Sequence, residues 1–256
     1  MVNHAVFHSL FPDVLSFADI TVLAMASFIG SLVTAALGVG GGAFLIVVMA
    51  EFLAPVVLIP LHGLVQMASN AGRAWLTRDV IDWTLVKAFL AGGVVASFIG
   101  AFGLQTVSGD VINWAIAIFI LYTCWGKVPN VGLSDSVIGR VGGGFITTFA
   151  TLFAGATGPL VASWLRTSKM DKFYYTANFS TCMTLQHGLK ILVFSYAGFS
   201  FFQWVGLLGL MVVAGFIGTK VGLKLLGVLP EKEFKVIFKV LLTALALRLI
   251  YRLVMT

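Results

Sequence analysis

Two runs of polar side chains recur at helical spacing inside otherwise apolar sequence. The first is His62, Gln66, Ser69 or Asn70, and Arg73. The second is Thr176, Ser180, Thr184, His187 and Lys190. Residues three and four apart share one helix face, so each run is a polar stripe. His187 and Lys190 lie one turn apart and could meet one anion together. Arg73 and Lys190 supply positive charge, and His62 and His187 can also carry protons near neutral pH. Gln66 and Asn70 add hydrogen bonds. Carboxylates are scarce in this setting. Glu51 sits near the end of a short apolar segment, and Asp79, Asp82 and Asp110 sit at segment ends. A cation site built from several carboxylates is therefore not expected.

Each stripe follows a glycine break. The first break is Gly38-Val39-Gly40-Gly41-Gly42, and the second is Gly155-Ala156-Thr157-Gly158-Pro159. The short apolar segments behind them, 43–53 and 159–166, are below the roughly 20 residues that cross a bilayer. Glycine lets the backbone turn sharply and lets a ligand come close, and Pro159 suits a first helical turn. The free N–H groups and positive dipole end of each short helix suit an anion. Gly40, Gly41, Gly42, Thr157 and Gly158 are therefore candidate contacts, with Thr181 on the second stripe helix beside them. Neither cluster is a phosphate loop, because no Gly-Lys-Ser/Thr follows.

The segments that position these residues run through the whole chain of 256 residues. They are 15–38, 43–53, 56–76, 80–103, 107–125, 136–155, 159–166, 173–196, 200–223 and 232–254. Hydrophobic residues make up 59% and charged residues 10%, against about 25% charged in soluble domains. Mean hydropathy is +1.03. A soluble fold could not hide that much apolar surface, so the expectation is one all-α, polytopic membrane domain over 1–256. No polar stretch is long enough for a soluble domain. The first Lys or Arg is Arg73, so Met1–Phe17 has no basic n-region and the first apolar segment is expected to stay. Basic residues sit at segment ends rather than in a block, which excludes a nucleic-acid module. Cys124 and Cys182 lie in apolar segments without metal-ligand spacing and are expected to be free thiols.

Segment order repeats: long helix, glycine break, short helix, three long helices. The repeats span about 15–126 and 136–254. Gly92, Ala96 and Gly100 form a small-residue ridge in the first, and Ala214, Gly218 and Gly222 form one in the second. Such ridges let helices approach closely, within the chain or in a homodimer. Lys and Arg cluster at Arg73 and Arg78, at Lys127 and Arg140, at Arg166, Lys169 and Lys172, and at Lys220, Lys224, Lys232 and Lys235. Placing these turns in the cytoplasm makes the two long-plus-short pairs dip from opposite faces. That gives an inverted repeat with both termini outside, with Arg248 and Arg252 as exceptions. Segment 15–38 is also long enough for a complete span, which is the competing path.

No catalytic motif is present: no His-Glu-x-x-His, no Gly-x-Ser-x-Gly and no paired-Cys metal motif. No cofactor and no enzyme activity are expected, and ATP-driven transport would need another subunit. Paired helix breaks within the bilayer point to a secondary transporter.

The run Gly155-Ala-Thr-Gly-Pro-Leu160, with Thr181-Cys-Met-Thr-Leu-Gln-His-Gly-Leu-Lys190 and Tyr196-Ala-Gly198, resembles the second half of the TauE/SafE sulfite exporter family. Gly38-Val-Gly-Gly-Gly42 and Val80-Ile-Asp-Trp83 resemble its first half. The resemblance covers about 18–254. One departure is Leu61-His62-Gly63-Leu64, where many members have a Thr-Ser pair. The resemblance implies export of sulfite or a small organosulfonate across a bacterial inner membrane, with proton coupling as an option. A permease for another small anion such as a carboxylate, and a passive anion channel, are the alternatives.

Overall fold

Apolar runs of this length in lipid must bond their own backbone groups, which leaves helices as the available form. The computed structural model describes residues 11–12, 14–103, 107–126, 133–165, 171–226 and 231–255, with backbone alone at 133 and 231–235. Lys127, Arg166 and Lys169 fall outside the described residues, as do the side chains of Lys232 and Lys235.

Among the described residues there are ten α-helices, joined by short 3-10 turns. They are α1 (Phe17–Leu37), α2 (Gly41–Met49), α3 (Pro55–Leu76), α4 (Trp83–Gly103) and α5 (Gly109–Trp125). Then come α6 (Val137–Ala154), α7 (Gly158–Leu165), α8 (Lys172–Tyr196), α9 (Val205–Lys224) and α10 (Glu231–Met255). The ten correspond to the ten apolar segments of the sequence, with ends that shift by a few residues.

Among the described residues, four stretches are long and apolar enough to cross a membrane by length and composition: Phe17–Leu37, Trp83–Gly103, Val137–Ala154 and Phe202–Lys224. The protein is a multi-pass membrane protein. Helices α3 and α8 are as long, but their polar stripes dilute their hydropathy. Those stripes are buried within the bundle: His62, Gln66, Asn70 and Arg73 on α3, and Thr176, Ser180, His187 and Lys190 on α8. Polar groups at membrane depth face the protein rather than lipid.

The helices pair along their lengths. α1 packs on α9, α4 on α6, α3 on α8 and α5 on α10, with further contacts of α4 with α8 and of α3 with α9. Exchanging the first five helices for the last five turns each of these pairings into itself or another of them. The two small-residue ridges serve these contacts inside the chain. A Cβ on Gly92 would strike the backbone of Val141 on α6, and a Cβ on Gly218 would strike that of Phe28 on α1. Ser27 Oγ on α1 also donates to Met211 O on α9 at 2.7 Å. The ridges are thus occupied within one chain.

Two polar clamps join the first five helices to the last five. At the α3–α4 turn, Asp82 N–H donates to Asn178 Oδ1 on α8 at 2.7 Å. Tyr174 Oη donates to Asp82 Oδ2 at 3.0 Å. The turn Val80-Ile-Asp-Trp83 therefore grips α8 as well as starting α4. Partial burial pushes the Asp82 carboxyl up. The Leu85 and Thr84 N–H groups and Tyr174 outweigh it and hold the carboxyl below its ordinary value. Beyond the end of α2, Glu51 pairs with Arg248 at 3.1 Å and Arg252 at 3.3 Å on α10. Arg248 and Arg252, the exceptions to the charge rule, are thus both held by Glu51.

Candidate functional site

The two breaks are built alike. Gly38 closes α1, its N–H bonding Thr34 O, and adopts φ 87°; Gly40 precedes α2 at φ 111°. Gly155 closes α6, its N–H bonding Thr151 O, at φ 72°. These left-handed conformations cost an L side chain energy, which is the physical reason for glycine at all three. No side chain caps α2, so its first N–H groups depend on other partners.

Both breaks border one narrow cavity of about 20 Å³, room for about one water. Gly40, Gly42 and Ala43 line it from the first break, and Ala156, Gly158 and Pro159 from the second. His62, Gln66 and Asn70 of α3 and His187 of α8 form its polar wall. Thr34, Phe179 and Met183 complete the lining.

The polar wall is tightly organised. His62 Nε2 lies 2.9 Å from Gly42 O, tying α3 to the first break. The His62 and His187 rings meet edge to face, 5.8 Å between centroids. Asn70 Nδ2 donates to Gln66 O at 2.7 Å, and Asn70 Oδ1 accepts from Arg73 Nη2. His187 differs from its neighbours. It is fully buried, and neither ring nitrogen has a hydrogen-bond partner among the described residues. Burying an imidazole this way is costly unless something else meets its nitrogens.

Seven of the twelve candidate residues line the cavity: Gly40, Gly42, His62, Gln66, Asn70, Gly158 and His187. Five do not. Gly41 packs its Cα against the backbone of Gly30, where α1 and α2 cross. Thr157 Oγ1 accepts from Gln186 Nε2 at 2.6 Å. Thr181 Oγ1 donates to Ala177 O within α8. Arg73 lies just beyond Asn70, its Nε donating to Ser180 Oγ at 3.3 Å. It is buried to 1% exposure, so it does not reach for the membrane surface as a helix-end arginine can. Lys190 crosses to the second break, where Nζ donates to Gly155 O at 2.8 Å. Its stem lies so close to Gly63 that an added Cβ would sit 2.7 Å from Lys190 Cε. A cation there faces the negative end of α6, a favourable placement.

Among the described residues, neither Arg73 nor Lys190 has a carboxylate within ion-pair distance; the recorded pairs involve Arg78, Arg248 and Arg252. Two basic side chains thus stand beside the cavity with no carboxylate paired to either among the described residues. Among the described residues no three His, Cys, Asp or Glu side chains cluster closely enough to hold a metal ion. Thr34, Phe179 and Met183 also line the cavity, and the polar stripes alone do not reveal them. Only packing across helices brings the apolar pair Phe179 and Met183 to the cavity.

A wider cavity of about 240 Å³ adjoins this one at Gly40, Ala43 and Pro159, and is lined also by Cys124, Phe238 and Lys239. The Phe238 ring stands over Gly40 and 5.7 Å from the Phe44 ring. Cys124 is half-buried and Cys182 buried, and both are free thiols.

Residues 23–249 match the family described as Sulfite exporter TauE/SafE. No curated protein and no solved structure matches the chain.

Proposed function

The chain belongs to the TauE/SafE sulfite exporter family, and from that premise we propose that it is a secondary transporter exporting sulfite or a small organosulfonate. The anion binds at the narrow cavity between the two helix breaks, which widens to admit it as one half rocks against the other. One observation carries the assignment: a buried His187, both nitrogens unpartnered among the described residues, faces a cavity bordered by both breaks.

The chemistry follows from what surrounds that point. His187 offers a hydrogen bond to a sulfonate oxygen, while the Asn70 amide is engaged by Gln66 and Arg73. The start of α2 offers uncapped N–H groups and a positive dipole end. Arg73 acts through Asn70, holding its Oδ1 so that its amide stays oriented. Lys190 closes the end of α6 and adds charge without touching the cavity wall. Five of the twelve candidate residues thus act on the anion at one remove or support the break. His62 and His187, in ring contact, are the groups able to move a proton if transport is proton-coupled.

The exchange pattern of helix pairings supports inverted repeats over about 15–126 and 136–254. In that arrangement the clamps at Asp82 and Glu51 open in turn as one half rocks against the other. The cytoplasmic membrane of a bacterium, with the basic turns inside, is the location that suits this topology.

Ligand-dependent thermal unfolding of the purified protein tests the assignment. Sulfite raises the unfolding temperature in a saturable way, and a carboxylate such as acetate does not. Equal stabilisation by acetate, or none by any sulfur anion, would refute it.

A further inference from the structure

The cavity wall holds uncharged amide and hydroxyl groups, histidines and apolar groups but no carboxylate. Its polar side chains are Thr34, His62, Gln66, Asn70 and His187, and its apolar side is built by Phe179 and Met183. Just behind the wall stand Arg73 and Lys190, both buried and both without a carboxylate partner among the described residues. The described acidic side chains lie elsewhere. Asp82 caps α4 at the turn, and Glu51 is held by two arginines of α10.

Resting on the proposed function, we infer that this site selects anions lacking any cationic group and rejects zwitterions of the same size. An aminosulfonate would place its ammonium among the His62, His187, Arg73 and Lys190 side chains, or against Phe179 and Met183. Neither environment offers it a carboxylate, and the neutral acceptors Gln66 Oε1 and Thr34 Oγ1 do not balance its charge beside two buried cations. A buried charge left without a partner is among the most costly features a binding site can impose, and specificity of this kind comes from repulsion as much as from attraction. An unsubstituted alkyl tail instead rests on Phe179 and Met183 at no such cost. The discrimination therefore reads the far end of the ligand, while the sulfonate head is held in the same way in both cases.

A matched pair of ligands isolates this effect. Ethanesulfonate and 2-aminoethanesulfonate share the sulfonate head and chain length and differ in the terminal ammonium. Thermal unfolding of the full chain in detergent is followed against each, with sulfite as reference. Ethanesulfonate is expected to stabilise at concentrations roughly a hundredfold lower than 2-aminoethanesulfonate. In Gln66→Glu, close in shape to the native side chain, the preference is expected to narrow by about tenfold or more, because the new carboxylate offers the ammonium a partner. Met183→Glu places a carboxylate on the opposite wall and serves if Gln66→Glu does not fold. Equal potency of the pair in wild type overturns the inference and leaves the anion site standing. Discrimination unchanged by either folded variant overturns its cause. Absence of stabilisation by sulfite and by ethanesulfonate refutes the anion site and the inference with it.

Discussion

Replacing Lys190 by methionine should stabilise the protein while stopping transport. The ammonium donates to Gly155 O at 2.8 Å, and such a charge-assisted bond is worth about 1.5–3 kcal/mol. Its loss does not strand the carbonyl, because Thr151 Oγ1 also donates to Gly155 O at 3.2 Å. Methionine fills the space that the lysine stem occupies against Gly63, so no sizeable hole opens. On the other side stands the desolvation of a fully buried ammonium with no carboxylate to offset it, several kcal/mol. The difference favours methionine by about 1–3 kcal/mol, at about 2–4 °C of unfolding temperature per kcal/mol for a chain of this size. Lys190→Ala is the less informative change, since it adds a cavity of several missing heavy atoms to the same loss of charge. The assay pairs unfolding temperature in detergent with sulfite flux in liposomes. A variant that melts lower than wild type yet transports at the wild-type rate would refute the reasoning on both counts.

Other outcomes follow from the same geometry. Gly40→Ala forces an L residue to φ 111° and should cost about 1–2 kcal/mol, seen as a lower unfolding temperature with weakened sulfite response. Gly218→Val drives a side chain into the Phe28 backbone and should separate α1 from α9, read as loss of folded protein on size exclusion. Asp82 is held below its ordinary value of 3.8, so its clamp contributes stability above that value and loses it as pH falls through the lower folded one. Asp82→Asn should therefore flatten the acid limb of the unfolding profile while leaving its neutral-to-basic shape unchanged. Glu51→Gln releases Arg248 and Arg252, which are substantially exposed, so it should cost less than about 1 kcal/mol in an equilibrium unfolding titration.

Much of this architecture was legible in the residues. Runs of apolar sequence bounded by glycine, proline and charge mark all ten helices, because in lipid an apolar run has few alternatives. The polar stripes of α3 and α8 were equally visible, since three- and four-residue spacing is a property of a single helix. What spacing could not convey is what stands across from each side chain. Lys190 shares a face with His187, yet its long stem carries Nζ to Gly155 O on another element. Arg73 groups in sequence with the basic turn at Arg78, yet it is buried between Asn70 and Ser180. Phe179 and Met183 are indistinguishable in sequence from other apolar residues of α8, and only tertiary packing sets them on the cavity. The pairing of Arg248 and Arg252 with Glu51 joins positions about two hundred residues apart, beyond the reach of any local pattern.

The central claim is that an anion crosses by way of His187 between the two breaks. Sulfite flux into liposomes, measured for wild type and for His187→Ala at equal incorporation, tests it most directly. Saturable wild-type flux is expected, reduced about tenfold or more in the variant by loss of a hydrogen bond to a charged ligand, with the variant still folded. Equal flux in the two, or no sulfite flux in wild type, would contradict it.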